Sequence, residues 1–138
     1  MQVKDVYNDI TKRAPVVKEN DPISTVVDKM IEDPLTRAVY VLNDGEELVG
    51  IISVNDVLDF LGQEYDNSVP SMIHNTFAKK ASDLMSRPVS VSLEMPIEKA
   101  LEIAVERHLE EIPVCDGKKV IGDVMCFEII KALGGENK

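Results

Sequence analysis

A chain of 138 residues, 44 % of them apolar and 29 % charged, is long enough to bury a core unaided and too apolar to stay disordered. Fifteen Lys plus Arg against 25 Asp plus Glu leave a formal charge of −10, which repels phosphate backbones and anionic lipid heads and argues against nucleic acid or a membrane as partner. No apolar run approaches the ~20 residues of a bilayer span, and residues 1–20 carry charges throughout with no signal-peptide core, so a cytoplasmic location is expected.

In chain order, Val3, Val6, Tyr7 and Ile10 have helical spacing and predict a short amphipathic helix over 2–12. Pro15-Val16-Val17 reads as a strand. Asp21 and Pro22 read as the N-cap and first-turn proline of a helix whose apolar face is Ile23, Val26, Val27, Met30 and Ile31. A hairpin follows, Ala38–Leu42 and Leu48–Ile52 around the turn Asn43-Asp44-Gly45. Val54, Val57, Leu58 and Leu61 predict a closing helix with Gly62 as its C-cap. Gln63–Thr76, polar and holding Asn67, Ser68 and Pro70, reads as a connection, and Phe77–Ser86 as a helix leading onward. The pattern then starts again. Val89-Ser90-Val91 is a strand, Ile97, Ala100, Leu101, Ala104 and Val105 a helix face, and Ile112–Cys115 with Val120–Val124 a hairpin around Asp116-Gly117. Cys126, Ile129, Ile130 and Leu133 form a second closing helix, ended by Gly134 and Gly135.

This recurrence is an internal duplication. Asp44, Gly45, Gly50, Leu61 and Gly62 recur 72 positions on as Asp116, Gly117, Gly122, Leu133 and Gly134. Val17, Pro22 and Ile23 recur 74 positions on as Val91, Pro96 and Ile97. The drift needs two single-residue indels, near Asp33-Pro34 and at Leu42-Asn43, both at loops where length changes cost little. The expected organisation is one repeat over 1–62 with its N-terminal helix, a connection over 63–80 and a second repeat over 81–138.

Chemistry-bearing residues are sparse. Cys115 and Cys126 lie in apolar, strand-like surroundings without CxxC spacing and read as reduced core thiols. His74 and His108 are isolated, so no three- or four-ligand metal set is visible. GxSxG, HExxH, P-loop and GxGxxG patterns are all absent from the sequence. Glu110 and Glu111 are adjacent in a predicted strand, point to opposite faces and cannot flank one substrate bond. No enzyme is expected.

Each repeat resembles a CBS domain, the βαββα unit of cystathionine-β-synthase type, and the pair resembles a Bateman module. The resemblance is carried by Ala81-Ser82-Asp83-Leu84-Met85 leading to Pro88-Val89-Ser90-Val91, by Ile112-Pro113-Val114, and by Gly50-Ile51-Ile52-Ser53-Val54-Asn55-Asp56. It implies an α/β fold of two pseudo-symmetric βαββα CBS units forming one compact module. It also implies a regulatory sensor that takes AMP, ADP, ATP or S-adenosylmethionine in clefts between the repeats, with no catalytic cofactor, pairs into a homodimer and signals to an effector protein. By the same analogy the principal ligand contacts are Ser53, Asp56, Arg37, Ile51, Val89, Ser90, Val91, Ile112 and Pro113. A second, weaker cleft would use Glu128, Val16, Val17 and Tyr40.

The residues themselves qualify this picture. Ser53-x-x-Asp56 at a strand-to-helix junction suits a ribose and a phosphate, since Asp56 offers two acceptors and the helix N-terminus adds N–H groups. The same four residues also spell a capping box. The second repeat places Met125 and Glu128 at these positions, so an equivalent helix start does not demand a serine, and ligand contact is the favoured role for Ser53 and Asp56. Met125 cannot usefully donate to a phosphate, which predicts a weak or empty second cleft. Arg37 is either a charge-assisted phosphate clamp or a solvated arginine at a turn. Glu110 and Glu111 disfavour a polyphosphate, so AMP, adenosine or S-adenosylmethionine is expected over ATP. The alternative function is a ligand-free dimerisation module that regulates a partner.

Overall fold

The structure, a computed structural model, describes residues 1–6, 14–65 and 68–135. The chain divides into two compact units, Pro15–Pro88 and the union of Met1–Ala14 with Val89–Lys138.

In the first of these, β1 (Val16–Lys18), β2 (Ala38–Leu42) and β3 (Leu48–Ser53) form a sheet in that order. β1 runs parallel to β2, and β2 antiparallel to β3, with Val17 beside Val41 and Val39 beside Ile52. The helices α1 (Ile23–Glu32), α2 (Val54–Tyr65), α3 (Val69–Ala78) and α4 (Ala81–Leu84) complete the unit. Alternation along the strands sends Val17, Val39, Val41 and Ile52 to one face, where they meet Val26 of α1, Val57 of α2 and Ala81 of α4 in a buried cluster. Every residue of β2 is buried, so the sheet is covered on both faces. Ser86 extends the free edge of β3, since its N–H donates to the Ile51 carbonyl at 2.9 Å and Ile51 N–H donates back at 3.1 Å.

The second unit repeats the plan with α5 (Ile97–Arg107), β4 (Glu111–Asp116), β5 (Lys119–Met125), α6 (Cys126–Ile130) and a π-helical turn over Lys131–Gly135. β4 and β5 are antiparallel, and Val91 bridges Val114 in parallel, as Val17 does Val41. The α/β duplication read from the sequence is therefore present.

Several expectations are corrected. Of the predicted N-terminal helix over 2–12, the described residues 2–6 hold a 3-10 turn, Val3–Asp5, and the remainder falls in residues 7–13, outside the described residues. That turn belongs to the second unit: Val3 and Lys4 N–H groups donate to Met95 and Leu93, and Ile97 N–H donates to Met1, at 2.8–3.0 Å. The corresponding partner of the first unit is the 79–82 stretch, where Ile23 N–H donates to Lys79 and Ala81 N–H to Asp21. Each repeat is thus completed by the segment that precedes the other repeat. The 63–80 connection is mostly helical: α2 runs on through Gly62 to Tyr65, so Gly62 is no C-cap, and α3 follows with Ser68 Oγ accepting from Ser71 N–H. The predicted helix over 77–86 is only the short α4.

Asp21 does not cap α1. Its carboxylate instead accepts from Lys18 N–H at 2.9 Å, and Pro22 occupies the cap position. Ile31, Leu58, Leu101, Val105 and Ile130, assigned to core faces by their spacing, are 40–73 % exposed. In the first hairpin Glu46, not Gly45, takes the left-handed backbone, because Asn43 Oδ1 accepts from Glu47 N–H and closes the turn one residue later. The second hairpin uses Gly117 in that role.

Candidate functional site

The strand-to-helix junction of the Pro15–Pro88 unit is a closed capping box. Asp56 N–H donates to Ser53 Oγ at 3.1 Å, and Ser53 N–H donates to Asp56 Oδ2 at 2.8 Å. The first N–H of α2, on Val54, donates to the Arg37 carbonyl at 3.1 Å. Both side chains are thereby pinned at the positive end of a twelve-residue helix, with the Ser53 hydroxyl proton and Asp56 Oδ1 left outside the box.

Gly50, three residues earlier, is required by packing. A Cβ there would lie 2.3 Å from Met85 Sδ and 2.7 Å from Met85 Cβ. The glycine of the motif therefore lets the residues after α4 lie against β3.

Asp56 opens onto a cavity of about 490 Å³ inside the same unit. Its other walls are Asp59, Phe60 and Gln63 of α2, Ile23 at the head of α1, Lys79, and Asp83 and Leu84 of α4. Asp59, Phe60 and Gln63 lie three, four and seven residues after Asp56, so one helix stripe carries them all to this wall. Lys79 is committed elsewhere: its ammonium stands 3.6 Å from Glu64 Oε1 and 5.8 Å from the centre of the Phe60 ring. Glu64, only 7 % exposed, also accepts from the Asn75 amide, and this clasp ties α3 to α2. Three aspartates against one partnered lysine leave the wall negative.

The remaining sequence-derived candidates are placed as follows. Arg37 is exposed and turns its guanidinium onto its own loop, where Nη1 donates to the Pro34 and Thr36 carbonyls at 2.7 and 3.2 Å. Ile51, Tyr40 and Val17 are buried in the three-stranded sheet. Ile112, Pro113 and Val91 are buried in the other unit, where Val89 and Ser90 are half-buried. Ser90 hydrogen-bonds the Cys115 thiol; burial pushes that thiol's pKa up, and the hydrogen bond pulls it part of the way back. Glu128, largely buried, closes the head of α6 with its Oε1 accepting from Met125 N–H at 2.8 Å, while Cys126 N–H donates to the Glu110 carbonyl at 2.8 Å. An equivalent junction does form without a serine. Of the predicted contacts, then, Ser53, Asp56 and the Arg37 carbonyl meet at one helix head, and Asp56 alone of them lines the cavity.

Sequence inspection missed the other seven lining residues. The stripe Asp56, Asp59, Phe60, Gln63 was available from helical spacing, whereas Ile23, Lys79, Asp83 and Leu84 come together only through the fold. Among the described residues no cluster of three or more His, Cys, Asp or Glu is arranged to hold a metal, and no helix is long and apolar enough to cross a membrane.

The family model of the CBS domain matches residues 3–63 and 81–135. Among solved structures, a CBS domain-containing protein from Thermotoga maritima is 41 % identical, with a TM-score of 0.84 over 100 % of this chain and 98 % of its own. The CBS-pair protein CBSX2 from Arabidopsis thaliana is 26 % identical at a TM-score of 0.77, covering 95 % of this chain and 92 % of its own. A CBSX2 structure in complex with AMP matches at 26 % identity and 0.72, over 95 % and 94 %. A CBS domain pair in complex with 5′-methylthioadenosine and S-adenosyl-L-methionine, 20 % identical, shares the fold at a TM-score of 0.75 over 98 % and 97 %. No curated protein sequence matches the chain.

Proposed function

The chain belongs to the CBS-domain family, and from that premise we propose that it is a regulatory sensor for an adenosine-containing ligand, acting without catalysis. The observation that carries this is Asp56: its capping box fixes the carboxylate at a helix head while one oxygen remains to accept from a ribose hydroxyl at the cavity edge. The CBSX2 complex with AMP supports the ligand class. Ser53 donates to the ligand through its free hydroxyl proton, and Arg37, Ile51, Val89, Ser90, Val91, Ile112 and Pro113 are proposed as further contacts. Glu128, Val16, Val17 and Tyr40 form the weaker set. Asp59 and Asp83 make the cavity wall hostile to a polyphosphate, so AMP, adenosine or S-adenosylmethionine binds in preference to ATP.

The sensor acts as a homodimer in the cytoplasm. Its second copy covers apolar positions that the duplication exposes twice, Ile31 with Val105 and Leu58 with Ile130. A ligand-free dimerisation module is the second reading, favoured by one observation: Ser53 and Asp56 already satisfy each other, so the motif has a structural use.

Thermal-shift titrations with AMP, ADP, ATP, adenosine and S-adenosylmethionine test the proposal, on the native chain and on Asp56→Asn, which keeps an acceptor for Ser53 N–H. A ligand at a hundred times its Kd adds about 2.7 kcal/mol, or roughly 8–13 °C for a chain of this size. A shift lost in Asp56→Asn supports the sensor. No shift with any of the five removes it in favour of the dimerisation module, and ATP binding tenfold more tightly than AMP or S-adenosylmethionine refutes the charge selection.

A further inference from the structure

We propose that Lys79 couples the cavity to α3, so that an anionic ligand loosens this helix while an uncharged one leaves it in place; this rests on the sensor reading above and adds how its site signals. Among the described residues that line the cavity Lys79 is the one cation, and it shares the walls with Asp56, Asp59 and Asp83. The phosphate of AMP, repelled by those carboxylates, has Lys79 as its partner there. That ammonium is already used. It stands 3.6 Å from Glu64 Oε1, and the same carboxylate accepts from the Asn75 amide of α3. A phosphate at Lys79 therefore competes with Glu64 for it.

Backbone bonds fix which part of Lys79 can move. Its N–H donates to the Asn75 carbonyl at 2.9 Å and caps α3, and its carbonyl accepts from Ile23 N–H at 3.0 Å. The flexible side chain, 48 % exposed, is left free to turn. α3 in turn has little else to hold it. None of its residues is buried, Met72, Asn75 and Thr76 are its half-buried ones, and Thr76 spends its hydroxyl on the Met72 carbonyl within the helix. Glu64, by contrast, is buried, so a carboxylate that loses its ammonium keeps only Asn75 in a site poor in water. The clasp weakens, and α3 opens more often than the sheet beside it. Adenosine and S-adenosylmethionine carry no phosphate and leave the clasp closed. Such coupling is reciprocal: as AMP weakens the clasp, a weaker clasp binds AMP more tightly by the same factor.

Amide hydrogen exchange of the full chain, with AMP or adenosine at saturation, reads the coupling. AMP is expected to speed exchange over Val69–Ala78 at least about threefold, and adenosine to leave it unchanged. Glu64→Gln, which frees Lys79 and keeps an acceptor for Asn75, should bind AMP about fivefold more tightly in calorimetric titration, with adenosine unaffected. Lys79→Met should bring AMP down to the affinity of adenosine, and Lys79→Arg, which keeps the charge, should not. A helix merely weakened by these substitutions would not separate the two ligands. Bound AMP with unchanged exchange over Val69–Ala78, or native AMP affinity in Glu64→Gln, overturns the coupling and leaves the sensor standing. Failure of both ligands to bind removes the sensor and the coupling together.

Discussion

Replacing Gly50 by alanine should unfold this protein more easily through a single new methyl group. That methyl would stand 2.3, 2.6 and 2.7 Å from Met85 Sδ, Cγ and Cβ, all inside the distance that real Cβ atoms keep. Two of these atoms belong to the stem of the side chain, so a rotation of the thioether tip does not relieve the contact. The Met85 backbone cannot retreat easily either, because the next residue, Ser86, is bonded on both sides to Ile51. Overpacking of this kind costs about 1–3 kcal/mol, and a value near 2 lowers the melting temperature by roughly 6–10 °C. Met85→Ala alone, at a half-buried site, costs about 1–2 kcal/mol. It removes two of the three close atoms, so in Gly50→Ala/Met85→Ala about 1 kcal/mol of the combined loss should be regained. Urea unfolding of the three variants at one pH measures the cycle. Strict additivity within about 0.5 kcal/mol, or a neutral Gly50→Ala, refutes the packing account of this glycine.

Other perturbations follow from the same geometry. Ser53→Ala removes the N-cap acceptor of α2 and should cost about 1 kcal/mol in urea unfolding, whereas Met125→Ala, at a junction closed by the Glu128 carboxylate and the Glu110 carbonyl, should leave the cap of α6 intact. Lys79→Met leaves the buried Glu64 carboxylate with Asn75 alone and should cost about 1 kcal/mol, discounted for the half-exposed ammonium; Lys79→Met combined with Glu64→Gln should recover most of it, and a cycle without recovery contradicts the clasp. Burial holds the Cys115 proton to a higher pH than in the unfolded chain. Below the ordinary thiol pKa both states are protonated; above it the unfolded state loses its proton first, so this thiol makes stability fall as pH rises. In native alkylation at pH 8 read by mass spectrometry, Cys126, which is less buried, should label well before Cys115, and equal rates would contradict the burial. Val3→Ala empties a fully buried position and should cost roughly 2 kcal/mol, with faster amide exchange at Ile97, whose N–H donates to Met1.

Much of the fold was legible because local chemistry and global pattern agree in it. Apolar runs around Asn43-Asp44-Gly45 and Asp116-Gly117 state two hairpins, and their shared spacing states the duplication. What escaped is what spacing cannot express. Ile31 and Val105 continue a helical stripe past the end of the core, and periodicity does not say where the core stops. The polar stretch around α3 has little apolar moment of its own, yet Glu64 and Asn75 pin it. Val3-Lys4-Asp5 resembles Ala81-Ser82-Asp83 only faintly, although the two turns do the same work: Gln2 N–H donates to Asp5 Oδ2 as Lys80 N–H does to Asp83 Oδ2. At the candidate site the pairing of Ser53 with Asp56 was legible as a motif. Lys79 and Asp83 were not, because they reach the cavity from a segment that the chain supplies more than twenty residues later.

The exchange of completing segments has a consequence for how the chain is made. Pro15–Pro88 contains its own closing turn, so the Lys79 and Ala81 bonds to Ile23 and Asp21 are available once residue 88 has left the ribosome. Residues 1–6 emerge well before their own partners, because Leu93, Met95 and Ile97 follow about 90 residues behind; at 5–20 residues per second that is on the order of 5–20 s. Through that interval Val3 lacks the Met95 carbonyl that its N–H will bind, and the second repeat is completed by a segment made long before it.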